Sequence, residues 1–317
     1  MHYRQLGKTG LNVSVISYGA SPLGNAFRTI DEGEGIRTVR TALDLGINFL
    51  DTSPHYGETR SETVLGRALQ GVPRDSYILA TKVGQYGEGK FNFTAEGVTK
   101  GFDESCRRLG TDYVDVLHCH DIEFADLNQI VDETLPALVR LKEAGRVRHI
   151  GITGLPLKIF PATLDRTAPG VVEAVLSFCR YCLNDVALES LLPYFEEKGV
   201  GVINASATGM GLLTERGGPS WHPASPAIKE GCRRAVEQAK AIGADITKLA
   251  IQFAVHHPRI ATTLVGTANP ENIRKNVEYA NAPIDFEQMA AVLAFLKPIK
   301  NHNFTRGRPE NRDALVP

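Results

Sequence analysis

Residues 95–118 read AEGVTKGFDESCRRLGTDYVDVLH, and the reading of this unit decides the fold. Val98, Phe102, Cys106 and Leu109 recur at spacings of three and four, which places them on one face of a helix. Gly110 follows at the point where a glycine can take the left-handed conformation that stops a helix. Tyr113–His118 is then a short apolar run of strand length. The unit is helix, glycine, strand.

Working outward, the same unit recurs. Candidate strands are Val15–Tyr18, Asn48–Asp51, Tyr77–Lys82, Tyr113–His118, His149–Ile152, Val172–Ser177, Gly201–Asn204 and Thr262–Val265. Helical patterns lie between them at Gly35–Leu45, Ser61–Leu69, Ala95–Leu109, Leu127–Glu143, Leu157–Asp165 and Leu188–Lys198. Two longer helical regions follow, Pro226–Ile242 with Lys248–His256, and Glu271–Tyr279 with Phe286–Leu296. Leu45-Gly46, Ala144-Gly145 and Lys198-Gly199 repeat the stop signal. Eight such units predict a (β/α)8 TIM barrel, an α/β fold.

The rival is a doubly wound sheet, which carries G-x-G-x-x-G after its first strand. That fingerprint is missing here. Residues 1–317 are therefore expected to form a single barrel domain. It opens with a β-hairpin across Gly7 to Gly10, carries a long insertion at Thr214–Pro226, and ends in a polar tail, 297–317, expected to be loosely held.

Composition narrows the function. The 35 Lys and Arg against 36 Asp and Glu leave a net charge of −1, without the basic excess of a nucleic-acid binder. No run approaches the roughly 18 apolar residues of a membrane span, and the first ten residues have no apolar signal core. Five cysteines in 317 residues are an odd, sparse set that suits a reducing compartment, so the cytoplasm is expected. No nucleic-acid or membrane partner is expected, and the chain should be a monomer or homodimer.

In a TIM barrel the chemistry sits at the C-terminal ends of the strands. Asp51 ends the second strand, Tyr56 follows in its loop, Lys82 ends the third, and His120 lies just past the fourth. A carboxylate, a phenol, an ammonium and an imidazole suit carbonyl–alcohol interconversion by hydride transfer. A tyrosine pKa of about 10 is too high for proton transfer near neutrality, and the Lys82 cation should lower it. Asp51 would hold the ammonium, and His120 would orient the substrate oxygen.

Two motifs point elsewhere and fail. Gly84-Gln-Tyr-Gly-Glu-Gly89-Lys90 fits G-x-x-x-x-G-K, but Phe91 stands where a phosphate loop needs a hydroxyl, so it reads as a glycine-rich loop over the site. His118-Cys119-His120 with Cys179-Arg-Tyr-Cys182 suggests zinc, yet strand alternation sends Cys119 away from both histidines. No metal is expected.

The stretches Asp51-Thr-Ser-Pro-His-Tyr56-Gly, Ala80-Thr-Lys82, Asp112-Tyr-Val-Asp-Val-Leu-His-Cys-His120 and Gly151-Ile-Thr-Gly154 resemble the signatures of the aldo-keto reductases, from Arg4 to about Leu296. That resemblance implies a nicotinamide-dependent (β/α)8 oxidoreductase, with Tyr56 as acid/base, Lys82 and Asp51 as its tuning pair, and His120 orienting the substrate. Gly19–Gly24, Leu117–Phe124, Gly151–Pro156 and Trp221–Pro226 resemble its aldose 1-dehydrogenase members. They imply oxidation of an aldose such as L-galactose at C1 to the aldonolactone. A general NADPH-dependent aldehyde or ketone reductase, or a cofactor-binding regulatory barrel, is the alternative.

Asn269 reads as a helix cap, with Pro270 in the first turn, and the free amides of such an end suit a phosphate. The resemblance implies cofactor contacts at Gly19, Thr153, Ser177 and Ser206, at Gly211 and Leu212, and at Gly266, Asn269, Asn272 and Asn276. NADP-using relatives have Lys or Arg where this chain has Gly266, Ala268 and Asn272, so NAD is expected, with Arg274 and Lys275 the residues able to overturn it. Gly154 stands where many members have Asn, and Ala205 where a tyrosine often stacks on the nicotinamide; Phe178 and Tyr181 are the candidate substitutes. His55, Asp121, Arg180 and Trp221 are the candidate sugar contacts.

Overall fold

A computed structural model describes residues 1–26 and 28–314. The first two strands, β1 (Tyr3–Gln5) and β2 (Asn12–Ser14), pair as an antiparallel hairpin across Gly7 and Gly10, as expected. The next three are β3 (Ile16–Gly19), β4 (Phe49–Asp51) and β5 (Ile78–Val83). A second small hairpin, β6 (Gln85–Gly87) with β7 (Lys90–Phe91), lies within the glycine-rich segment. Then come β8 (Val114–Cys119), β9 (Val147–Gly154), β10 (Ala174–Phe178), β11 (Gly201–Ala205) and β12 (Thr262–Val265). Strands β3, β4, β5, β8, β9, β10, β11 and β12 form one closed parallel barrel, each within two residues of its predicted bounds. The (β/α)8 expectation is correct.

Helices α1 (Glu32–Asp44), α2 (Arg60–Leu69) and α3 (Ala95–Leu109) follow the first three barrel strands. After β8 come α4 (Leu127–Gln129), a π turn at Ile130–Thr134, and α5 (Leu135–Glu143). The outer layer continues with α6 (Ile159–Leu164), α7 (Leu192–Lys198), α8 (Pro226–Ala241), α9 (Ile246–His256), α10 (Pro270–Asn281) and α11 (Phe286–Leu296). Among the described residues no helix is long and apolar enough to cross a membrane.

The barrel interior is filled from below by Phe49, Ala80, Val116, Leu176, Ile203 and Leu264, with Leu6 and Val13 of the hairpin closing that end. Gly7 makes the closure possible: at φ +55°, a Cβ there would lie 2.3 Å from the backbone nitrogen of Gly201. Moving up each strand, the inward positions change from apolar to Asp51, Lys82 and His118. Cys119 packs outward in the helix-facing core, as alternation requires.

The tail corrects its expectation. Residues 297–314 are anchored across the C-terminal end of the barrel. Asn301 donates its amide to Asn184 O (2.7 Å), and Asn303 Nδ2 donates to Cys179 O (2.7 Å). Asn311 Nδ2 donates to Glu123 O (3.0 Å) and Ala125 O (2.9 Å), while Asp313 accepts from the amides of Leu157 (2.9 Å) and Lys158 (3.0 Å). The tail's polarity matches the backbone groups of the loops it crosses.

Candidate active site

The loop after β4 is shaped by a backbone crossing. A Cβ on Gly57 would lie 1.9 Å from Gly24 O, so two glycines allow the loop to meet the turn at Ser21–Gly24. Ser61 fixes the crossing: its hydroxyl donates to Ala20 O (2.7 Å) and lies 2.9 Å from Thr52 Oγ1, and its amide donates to Tyr56 O (3.2 Å). The phenol of Tyr56 is thereby aimed at the strand ends.

Lys82 is buried and donates to Asp51 Oδ1 (2.5 Å) and Thr52 O (2.7 Å). Its Nζ lies 4.8 Å from the centre of the Tyr56 ring. Burial works against the Lys82 charge, but Asp51 and Tyr56 outweigh it and hold the ammonium protonated above its ordinary range. The Tyr56 expectation needs correction. Lys82 does pull the phenol down, yet burial pushes it up more strongly and Asp51 adds to the rise, so the phenol lies above its usual value.

His120 is 3% exposed and completes the cluster, its ring edge-on to Tyr56 at 5.8 Å and 5.7 Å from His55. Burial, with Lys82, His55 and Arg306 nearby, holds His120 well below the usual imidazole range despite Asp121, so the ring is neutral. Ser53 Oγ sits 3.0 Å from His120 Nδ1 and accepts the His55 amide (3.1 Å). A Ser53 hydroxyl donating to Nδ1 leaves the ring hydrogen on Nε2. Sequence reasoning missed Ser53, although it lies inside the motif that holds Tyr56.

The candidate sugar contacts divide. His55 lies against the rings of Tyr56 and His120, with Nδ1 buried and without a protein partner. Asp121 is buried and already engaged: it receives Thr153 Oγ1 (3.0 Å) and Arg306 Nη2 (2.8 Å). Arg180 is committed to Asp185 (2.9 Å) and to Asp313 of the tail (3.4 Å), a structural tie. Trp221 is 54% exposed in the loop before α8, whereas its neighbour His222 is buried against Gly209 O (3.1 Å) and Phe304.

The expected cofactor positions also divide. Thr153 spends its hydroxyl on Asp121, so it is not a free carboxamide contact. Tyr181 stacks on Phe253 (5.0 Å) and meets His257 edge-on (5.1 Å) in the outer layer, which leaves Phe178 of the two candidate substitutes. Ser177 Oγ is buried with no protein partner, and its residue pairs with Gly154 in the β9–β10 register. Ser206 and Met210 adopt left-handed backbone beside Gly209 and Gly211, shaping the segment that includes Leu212. Gly266 lies against Gly19 O and Pro22, where a Cβ would approach to 3.2 Å. The unsatisfied Ser177 hydroxyl fits a polar group of a dinucleotide.

At α10 the expected free amides are already capped. Asn269 Oδ1 accepts from the amides of Glu271 (2.9 Å) and Asn272 (3.1 Å), and Pro270 has none to offer. Asn269 Nδ2 in turn donates to Glu34 of α1 (2.9 Å), and Arg274 leans on Glu271 (3.6 Å). Asn276 lies one turn beyond Asn272 on the same helix. Among the described residues no cluster of three or more His, Cys, Asp or Glu is arranged to hold a metal.

The model of the Aldo/keto reductase family matches residues 15–297. The chain is 52% identical to the L-galactose dehydrogenase of Arabidopsis thaliana, covering 97% of this chain and 98% of that one. It is 33% identical to the D-arabinose 1-dehydrogenase of Saccharomyces cerevisiae, over 77% and 76% of the two chains. Among solved structures, an aldo-keto reductase from Bacillus halodurans in its holo form superposes with a TM-score of 0.77 at 26% identity, covering 99% of this chain and 100% of that one.

Proposed function

The chain belongs to the aldo/keto reductase family, and from that premise we propose that it oxidises an aldose at C1 to the aldonolactone with NAD, L-galactose to L-galactono-1,4-lactone being the first reaction to test. The observation that carries the reading is the convergence of Tyr56, Lys82, Asp51 and His120 in one buried cluster at the C-terminal end of the barrel.

His120 Nε2–H donates to the anomeric oxygen and fixes its distance from the phenol. Tyr56, as phenolate, takes the hydroxyl proton while the C1–H bond breaks and the carbonyl forms. Bound NAD supplies the acceptor for the hydride that leaves C1. Lys82 stabilises the phenolate and Asp51 keeps Lys82 charged. Burial raises the phenol, so oxidation should accelerate as pH rises and the phenolate fraction grows.

NAD over NADP is supported at α10. A 2′-phosphate would bring nearly two negative charges to a surface that already holds Glu34 and Glu271, with Arg274 leaning on Glu271 and no cation at residues 266, 268 or 272. Five unpaired cysteines, all buried, suit the reducing cytoplasm in which this reading has the enzyme work.

The test is absorbance at 340 nm with a panel of aldoses and each cofactor. Turnover of L-galactose with NAD at higher kcat/KM than with NADP is expected. Reduction of simple aldehydes with NADPH at higher efficiency would favour the reductase alternative. Tight NAD binding without turnover of any aldose would favour the regulatory barrel.

A further inference from the structure

The catalytic cluster is closed by a residue from the tail. Arg306 Nη2 donates to Asp121 Oδ2 at 2.8 Å, and Nε lies 3.2 Å from Glu123 Oε1. Its guanidinium is held between the rings of Phe124 (4.7 Å) and Phe178 (5.3 Å), which fixes a flexible side chain in one place. The backbone on either side is tied down as well: Asn303 bonds Cys179 O, and the Arg308 amide donates to Glu123 O (2.9 Å).

What Arg306 grips is the neighbour of His120. Asp121 has a left-handed backbone, φ +46°, unfavourable for a residue with a side chain. One hydroxyl holds it there: Thr153 Oγ1 accepts the Asp121 amide (2.8 Å) and donates to Asp121 Oδ1 (3.0 Å). The same Oδ1 lies 3.8 Å from His120 Nε2, the nitrogen that faces substrate. The groups around the buried Asp121 carboxylate are therefore His120, His55, Thr153, Glu123 and Arg306. The imidazoles are held neutral and burial keeps Glu123 protonated up to about 8, so Arg306 is the counter-charge.

We propose that Arg306 is a positioning residue for the catalytic reaction: by neutralising Asp121 it keeps His120 an uncharged Nε2–H donor, aimed at the substrate oxygen and not at the carboxylate beside it. This rests on the His120 role proposed above. Without Arg306, Asp121 is a buried, unpaired anion, and the nearest group able to answer it is His120, which would take a proton and turn to Asp121. The pairing also makes the tail part of the active site.

The test is the pH profile of kcat/KM for aldose oxidation between pH 5 and 8, in the wild type, His120→Gln, Arg306→Met, Arg306→Lys and the double variant Arg306→Met/Asp121→Asn. The raised phenol of Tyr56 by itself gives a uniform slope over this range, so the acid limb is the additional steepening below that slope; Arg306→Met is expected to move this limb up by about one pH unit, a roughly tenfold loss of rate on it. Arg306→Lys should retain most of the wild-type profile, and the double variant should return the limb toward its original position because both charges are gone. NAD affinity, read by fluorescence quenching, and the thermal midpoint establish that each variant is folded and loaded. An acid limb that disappears in His120→Gln but stays in place in Arg306→Met overturns this proposal alone, as does a double variant no better than the single one. An acid limb that survives in His120→Gln removes the His120 role itself.

Discussion

The two ends of the barrel are closed by opposite kinds of chemistry. At the N-terminal end the β1–β2 hairpin seats Leu6 and Val13 on Phe49, Ala80, Val116 and Ile203, and the seal is apolar area removed from water. At the C-terminal end the tail covers a surface of Asp121, Glu123, Asp185 and Arg180, and the seal consists of hydrogen bonds and ion pairs. The lower seal depends on shape and apolar contact. The upper one depends on charge state, which suits the end where protons move.

The largest break is at the chemistry. Tyr56→Phe removes the proton acceptor and is expected to lower kcat by a factor of about 10²–10⁴ with little change in thermal midpoint, measured by steady-state kinetics and calorimetry. Retained turnover would remove the phenol from the mechanism. Lys82→Met should be costly in both currencies. It strands Asp51 as a buried unpaired carboxylate, a destabilisation of about 3–5 kcal/mol in denaturant unfolding. It also withdraws the one influence that lowers Tyr56 through charge, so the alkaline rise of the oxidation rate should move to still higher pH.

At the other end the effects should separate. Leu6→Ala is expected to cost about 2–5 kcal/mol of stability with KM and kcat unchanged. A change in KM there would show that the two ends are coupled. Glu123 allows a finer test of the charged seal. Its carboxyl is raised to about 8 in the fold from 4.5, so its contribution to stability is present at low pH and is lost as pH rises from about 4.5 to about 8. Glu123→Gln should flatten that part of the curve of thermal midpoint against pH. The smallest expected effect lies at α10: Glu34→Gln should improve NADP binding several-fold and leave NAD nearly unchanged, as read by fluorescence titration.

Much of this was legible in the chain. The strands Thr262–Val265 and, to within one residue, Gly201–Asn204 are legible in local pattern, as is the Asn269 cap, because periodicity and capping depend on residues a few places apart. Tyr56, Asp51, Lys82 and His120, picked out from strand ends alone, are brought together by the fold. That Asp121 and Arg180 also hold Arg306 and Asp313 of the tail is not legible in the sequence, because those partners lie 185 and 133 residues away. Tyr181, one of two candidates to stack on the nicotinamide, turns its ring to Phe253 and His257 instead.

The sequence by itself determined the barrel, the chemical types gathered at its upper rim and the family to which they belong, since each of these is written in short-range order. Only the tertiary structure decided which charges meet, that the polar tail crosses the upper rim, and that burial outweighs Lys82 in setting the phenol. Those outcomes are balances between desolvation and distance, and both quantities come into being only when remote segments are packed together.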